Sequence, residues 1–225
     1  MNVTFLRWGA GSLALLVSAA GVTTVLAQDP SSSQSSPASA SPTPATEKKA
    51  DPSIAQRKEN QQDRIANGVK SGQLTAGETA NLEKKEAAIN KETRTDRAAN
   101  GGKLTSAEKA QVNKQQNQVS KQIYADKHNA NTAHYGNNKV GQRRENQQDR
   151  IAQGIKSGQL TPGETAKLEK QQQGINKQVA TDRKANGGTL NASQKKQINK
   201  EQNQASRNIY NKKHNAATQG NAKKP

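Results

Sequence analysis

The sequence contains no cysteine, and its only phenylalanine and only tryptophan, Phe5 and Trp8, lie near the N-terminus. Without cysteine, the protein can form no disulfide, no zinc–thiolate site and no thiolate nucleophile. Three tyrosines are the only other aromatic residues among 225. Because aromatic side chains supply much of the apolar area of an ordinary core, this chain has little material for a large one.

Large aliphatic residues are also few. Residues 56–130 contain only nine Ile, Leu and Val residues. Such a composition is typical of disordered chains, which cannot bury enough apolar surface to offset the entropy of ordering. The helix signals described below favour folding instead, so we expect helices whose stability is marginal.

Acidic residues are few relative to basic ones. The chain contains 18 Asp and Glu residues and 35 Lys and Arg residues, which gives a net charge of +17. The excess is uneven: residues 56–141 carry 15 basic and 9 acidic residues (+6), and residues 142–225 carry 17 and 6 (+11). A strongly basic balance favours anionic partners. We expect an envelope polysaccharide, a nucleic acid or an acidic protein, bound mainly by the second half of the chain, and no cofactor.

The first 27 residues have the pattern of a secretory signal peptide. Arg7 provides the positive charge, Ser12–Val25 is apolar, and Val25-Leu26-Ala27 resembles a signal cleavage site. The mature chain would then begin at Gln28 and be secreted or periplasmic; an uncleaved anchor is the alternative. Residues 28–50, rich in Ser, Pro and Ala, predict a disordered linker. No later segment is apolar enough to span a membrane.

A stretch of 15 residues occurs twice, 86 positions apart. Residues 64–78 read RIANGVKSGQLTAGE and residues 150–164 read RIAQGIKSGQLTPGE. Over residues 56–130, 49 of 75 positions are identical to the residue 86 positions later. The duplication predicts two similar units, which we place at 51–130 and 139–214, with a linker over 131–138 and a disordered basic tail over 215–225.

Helix boundary signals divide each unit into three helices. Gly72 is positioned to end the first helix in a left-handed conformation, and Pro162 suits the first turn of a later one. The sequence predicts a capping box at four helix starts. In a capping box, the N-cap side chain accepts a hydrogen bond from the backbone N–H three residues later, and the side chain of that later residue accepts one from the N-cap backbone N–H. The pairs are Thr75 with Glu78, Thr105 with Glu108, Thr161 with Glu164, and Asn191 with Gln194. The predicted helices cover 52–71, 76–99, 106–128, 139–157, 162–185 and 192–214.

The apolar residues of these helices form narrow stripes. In the third helix, a coiled-coil-like stripe contains Val112, Gln116, Val119 and Ile123, so that one of its positions is polar. Ile65 with Val69, and Leu82 with Ile89, give the first and second helices similar stripes. We therefore predict an all-α fold of two tandem three-helix units, each a helical hairpin with a third helix in a small antiparallel bundle.

No set of residues predicts catalysis or metal binding. His128 and His214 lie at equivalent helix ends, where a cation interacts favourably with the helix dipole, and His134 lies in the linker. Residues 96–108 resemble a calcium loop, but Arg97, Ala99 and Gly101 stand at its first ligand positions. Because neither paired carboxylates nor a nucleophile–base set recurs in both units, we expect a non-enzymatic protein.

The last helix and the residues after it carry the densest positive charge. We predict that this segment binds anions, and that binding is independent of sequence because Tyr124 and Tyr210 are too few, and too apolar in their setting, to stack on bases. The candidate anion-binding residues are Lys195, Lys196, Lys200, Arg207, Lys212 and Lys213.

Over residues 56–214, the motif R-I-x-x-G-[IV]-x-S-G-Q-L-T-x-G-E resembles repeats of secreted proteins of Gram-negative bacteria, a resemblance that implies no particular activity. The composition, hydrophilic and free of cysteine, also resembles that of hydrophilins and late-embryogenesis-abundant proteins. That second resemblance implies an alternative function, a stress protectant without a specific partner. The capped, turn-separated helices depart from the hydrophilin pattern.

Overall fold

The structure, a computed structural model, describes residues 53–219, and this range is entirely helical and irregular, without strands. The predicted signal peptide, the Ser/Pro/Ala linker and the last six residues of the tail lie outside the described residues. The all-α class and the two three-helix units are confirmed. The helices are α1 (Ile54–Lys70), α2 (Ala76–Ala99), α3 (Ser106–Lys127), α4 (Lys139–Lys156), α5 (Pro162–Ala185) and α6 (Ala192–Lys213). None of these helices is both long and apolar enough to cross a bilayer.

The turn between the first two helices depends on two glycines. Gly72 has a φ of 72°, the left-handed conformation that glycine adopts without steric cost. Leu74 then folds back onto α1, where its N–H donates to the carbonyl of Gly68 at 3.0 Å. A Cβ atom at Gly68 would lie 2.7 Å from Cδ1 of Leu74. Gly68 therefore makes room for the leucine that closes the turn.

The repeats pack on each other through equivalent helices. The most extensive interface joins α2 to α5, and the next joins α1 to α4. Because each interface pairs a helix with its own counterpart, the repeats are related as in an isologous two-fold dimer. Helix α3 packs against α1 and α2, and α6 packs against α4 and α5. The two third helices thus flank a central pair of hairpins.

The predicted apolar stripes are buried, but they do not serve two separate cores. Ile65 of α1 and Ile151 of α4 are both completely buried in one cluster, together with Leu82 of α2 and Leu168 of α5. The stripes of the first and second helices therefore face the other repeat as well as their own third helix. A second cluster, which includes Ile175, Val179 and Ile198, lies within the second repeat alone.

Polar side chains complete this core. In the first repeat, Nε2 of Gln61 donates to the carbonyl of Gln116 at 2.6 Å, and Nε2 of Gln116 donates to the carbonyl of Ile54 at 2.9 Å. Gln147 and Gln202 repeat the arrangement at 2.7 and 2.9 Å. The polar position predicted inside the α3 stripe is therefore a hydrogen-bonded link to the first helix.

The segment after each third helix is held against the repeat interface. The N–H of Ala133 donates to the carbonyl of Gly72 at 2.8 Å, and the N–H of Gln219 donates to that of Gly158 at 2.9 Å. Gln219 also donates from Nε2 to the carbonyl of Leu160 at 2.7 Å and to Oε1 of Gln62 at 3.0 Å. Residues 215–219, predicted as part of a disordered tail, are instead bonded to both repeats, because the repeat pattern continues beyond the third helix.

Because the two repeats share one core, we expect them to unfold together. Ile65→Ala and the matched Ile151→Ala each leave a cavity in the same cluster, and we expect each to lower the free energy of unfolding by about 2–5 kcal/mol. Hydrogen exchange should show that either change reduces amide protection in α2 and α5 alike. Loss of protection confined to the mutated repeat would show that the repeats unfold independently.

Candidate anion-binding sites

Three of the predicted anion-binding residues lie on one exposed face of α6. At about 100° per residue, Lys196, Lys200 and Arg207 fall within roughly 40° of one another. They lie opposite the buried stripe of this helix, which includes Ile198, Gln202, Ala205 and Ile209. All three are exposed, and Arg207 donates to Oε1 of Gln204 at 2.7 Å. We call Lys196, Lys200 and Arg207 the outer face of α6.

The other three predicted residues lie elsewhere on the helix. Lys195 is exposed on a flank, nearly 100° from Lys196. Lys212 forms an ion pair with Glu164 at 3.7 Å. Burial and the neighbouring Arg150 lower the pKa of Lys213. The structure therefore does not bring all six residues together, because their spacing distributes them around the helix.

The predicted capping residues lie at helix starts. Thr75, Thr105, Thr161 and Asn191 are the N-cap residues of α2, α3, α5 and α6, and each forms a capping box with the residue three positions later. The carboxylate of Glu108 accepts from the N–H of Thr105 at 2.8 Å and from Nδ2 of Asn100 at 2.8 and 2.9 Å. The side chain that resembled a calcium ligand thus accepts hydrogen bonds within the protein.

The histidines pair with neighbouring tyrosines. His128 and His214 are the C-cap residues of α3 and α6, and their rings stack on Tyr124 and Tyr210 with centroids 4.1 Å apart. The tyrosines are 62% and 56% exposed rather than in an apolar setting. Each has one ring face covered by its histidine. Within residues 53–219, no three His, Asp or Glu side chains cluster as metal ligands would.

Two cavities lie between the repeats at equivalent positions. The first, of about 740 Å³, is bounded by the start of α2, by residues 132–135 and by α4 and α5 of the second repeat. The second, of about 680 Å³, is bounded by the start of α5, by residues 217–219 and by α1 and α2 of the first repeat. We call them the Arg144 cavity and the Lys58 cavity. Each is a product of the interface, since each takes its walls from both repeats.

Arg144 is the buried cation of the first cavity, with 5% of its surface exposed. One terminal nitrogen donates to Oδ1 of Asn176 and the other to the carbonyl of Tyr135, both at 2.9 Å, and the guanidinium carbon lies 5.4 Å from the Tyr135 ring centre. Its Nε has no hydrogen-bond partner in the described part of the chain. Burial, and then the nearby Arg183, lower the pKa of Arg144.

The Lys58 cavity has a different charge balance. Lys58, Arg94 and Arg97 line it, and so does Glu59. Burial lowers the pKa of Lys58, and the nearby carboxylate of Glu86 opposes that shift. In the second repeat, 86 positions on, Gln172 replaces Glu86. Arg144 therefore lacks the nearby carboxylate that Glu86 provides to Lys58.

Three glutamates lie inside the bundle. Glu83 and Glu169 are fully buried, and each accepts one hydrogen bond from a glutamine of its own repeat, Gln62 at 3.1 Å and Gln148 at 2.9 Å. Burial raises the pKa of Glu169 to about 8 and that of Glu86 to about 7, and it raises the pKa of Glu83 as well. Glu86 and Glu169 are therefore largely protonated in mildly acidic solution.

Spacing along the sequence does not predict that four basic residues of the second repeat form a group: Arg144, Lys170, Lys177 and Arg183. They come together because α4 packs against α5, and the start of α2 from the other repeat completes the cavity around them. The duplication contains one signal for this site, since the exchange of Glu86 for Gln172 removes a carboxylate from the second repeat.

Comparisons of the chain with family models, curated proteins and solved structures give no match. The resemblance to repeats of secreted bacterial proteins stays a prediction.

The buried glutamates make stability depend on pH. Their pKa values in the folded protein, about 7 for Glu86 and about 8 for Glu169, lie above the ordinary 4.5. Between pH 4.5 and 8, the unfolded chain binds fewer protons than the folded protein. The free energy of unfolding should therefore fall as pH rises, by up to about 1.4 kcal/mol per pH unit for each carboxyl.

Denaturant unfolding at pH 5, 6.5 and 8 measures this dependence. Glu169→Gln keeps an oxygen that can accept from Gln148 and should flatten the fall. Glu145→Gln, at an exposed position of α4, is the matched control and should leave the slope unchanged. A free energy of unfolding that rises from pH 5 to pH 8 would contradict protonated carboxyls in the core.

Proposed function

We propose that the protein is a non-enzymatic, secreted or periplasmic helical repeat protein that binds anionic envelope or extracellular polymers through electrostatics independent of sequence. The outer face of α6 is the observation that carries this proposal. Its three cations are exposed, share one side of a helix and stand opposite the buried stripe. Such a row can contact successive anionic groups of a polymer without repacking the protein.

The first repeat offers a weaker version of the same face. The residues of α3 equivalent to Lys196, Lys200 and Arg207 are Ala110, Lys114 and Lys121. One of the three cations is missing there, in keeping with the smaller net charge of the first half. Since α3 and α6 do not contact each other, we infer that a bound polymer follows α6.

Export is the part of the proposal that concerns residues 1–27. Val25-Leu26-Ala27 after an apolar run favours cleavage before Gln28. Intact-mass measurement of the protein recovered from the periplasm or the medium should give residues 28–225. Recovery of the full-length chain in the membrane fraction would instead identify an anchored protein.

The outer face of α6 can be tested with protein spanning residues 28–225. The triple variant K196Q/K200Q/R207Q keeps side chains of good helix propensity while removing three cations. Because each contacted anionic group releases counterions, the slope of log affinity for heparin against log salt concentration should become shallower by up to about three units. The slope is measured by titration between about 50 and 300 mM salt.

The control variant K84Q/K91Q/K109Q removes the same number of exposed cations from the first repeat. We expect its slope to change by less than one unit. Equal changes in the two variants would assign binding to net charge rather than to α6. An affinity that ignores salt in the unmodified protein would contradict electrostatic binding and favour the stress-protectant alternative.

A further inference from the structure

The lining of the Arg144 cavity carries an excess of positive charge. Its lining includes Arg144, Lys170, Lys177 and Arg183, with His134 nearby in the wall, and no Asp or Glu. Among residues 53–219, no carboxylate forms an ion pair with Arg144, whose polar contacts are an amide oxygen, a carbonyl and an aromatic ring. A buried cation without an anionic partner is costly to retain.

The equivalent cavity shows that the fold can neutralise this position. Lys58 stands where Arg144 stands, and it lies near the carboxylate of Glu86. In the second repeat the counter-charge is replaced by Gln172, a neutral side chain of nearly the same size. Packing therefore does not require a buried cation without a nearby carboxylate at this position.

The wall that faces these cations also suits an anion. It is formed by Thr75, the N-cap of α2, and by Ala76 and Gly77, the first two residues of that helix. The first N–H groups of a helix have no acceptor within it and attract negative charge. Glu78 is the carboxylate nearest in sequence, but it is not part of the lining, and its oxygens accept from Thr75, Asn129 and Asn131.

We propose that the Arg144 cavity is a binding site for a phosphate-bearing ligand, in which the guanidinium of Arg144, the cations of α5 and the start of α2 contact phosphate oxygens. A volume of about 740 Å³ is larger than one phosphate group and is in the range of small-molecule sites. The ligand therefore carries more than one phosphate, or a phosphate on a larger molecule. Arginine and lysine together with helix N–H groups recognise phosphate in proteins generally.

Pyrophosphate is the probe for this site, titrated calorimetrically into protein spanning residues 28–225 at about 150 mM salt. Arg144→Gln removes the buried cation, and Gln172→Glu supplies the carboxylate that the first repeat has at the equivalent position. We expect each change to weaken pyrophosphate binding at least tenfold. Lys58→Gln, the matched change in the other cavity, should leave the affinity within twofold.

Circular dichroism and thermal melts establish whether each variant is folded. If Arg144→Gln does not fold, Gln172→Glu still tests whether the positive charge of the cavity is needed for binding. A dissociation constant above about 10 mM for the unmodified protein would overturn the proposal. So would an equal loss in Lys58→Gln, or equally tight binding of citrate, which carries comparable charge on carboxylates.

Binding of pyrophosphate in the Arg144 cavity and binding of a polymer by α6 should respond to different variants. Arg144→Gln should keep its affinity for heparin within twofold, and K196Q/K200Q/R207Q should keep its affinity for pyrophosphate within threefold. A tenfold or greater loss of pyrophosphate binding in the α6 variant would show that the anion binds to the helix surface, which would overturn the cavity assignment and leave the polymer proposal standing.

Discussion

The hydrogen bonds between glutamine side chains of the first helix and the backbone of the third hold each repeat together. Gln61 and Gln147 each donate to a carbonyl of the third helix, and Gln116 and Gln202 each donate back to the first helix. A buried amide without a partner destabilises a fold by more than its bond stabilises it. These bonds therefore fix the register of the helices in a core that has too few large apolar residues to do so by shape alone.

The same scarcity explains why the repeats share one core. A single three-helix unit would bury few large side chains, whereas the contacts between α2 and α5 and between α1 and α4 combine the stripes of both repeats. The interface also brings Glu169 close enough to Glu83 for its charge to add to the effect of burial in raising the pKa of Glu83. Protonation relieves that conflict, so the stability of the bundle is coupled to pH through its own interior.

Where the two repeats differ, the differences spare the hydrogen bonds that link the first helix to the third. The glutamines of the core are the same in both, but Glu86 gives way to Gln172, Lys58 to Arg144, and Ala110 to Lys196. The first and third of these exchanges make the second repeat more positive, and the second keeps a cation at its position. Both copies keep the same packing between helices, and the second copy gains positive charge beside a cavity and along α6. This is the pattern expected if the shared packing supports the fold and the second repeat provides the binding surface.

The sequence by itself determined the helices and their ends. The capping pairs, Gly72 and the apolar spacing gave all six helices to within two residues, since these signals act between residues a few positions apart. It also located the charge of α6, although the angular spacing of the helix leaves only Lys196, Lys200 and Arg207 on one face.

Only the tertiary structure decided which helices meet across the repeats and what they enclose. Arg144 looks in sequence like any basic residue of an amphipathic helix, and Ala76 looks like part of a helix start. Their proximity depends on the packing of α4 and α5 against the beginning of α2. Apolar stripes of similar width can pack within a repeat or between repeats, and local signals do not distinguish the two because the choice depends on the total area buried by all six helices.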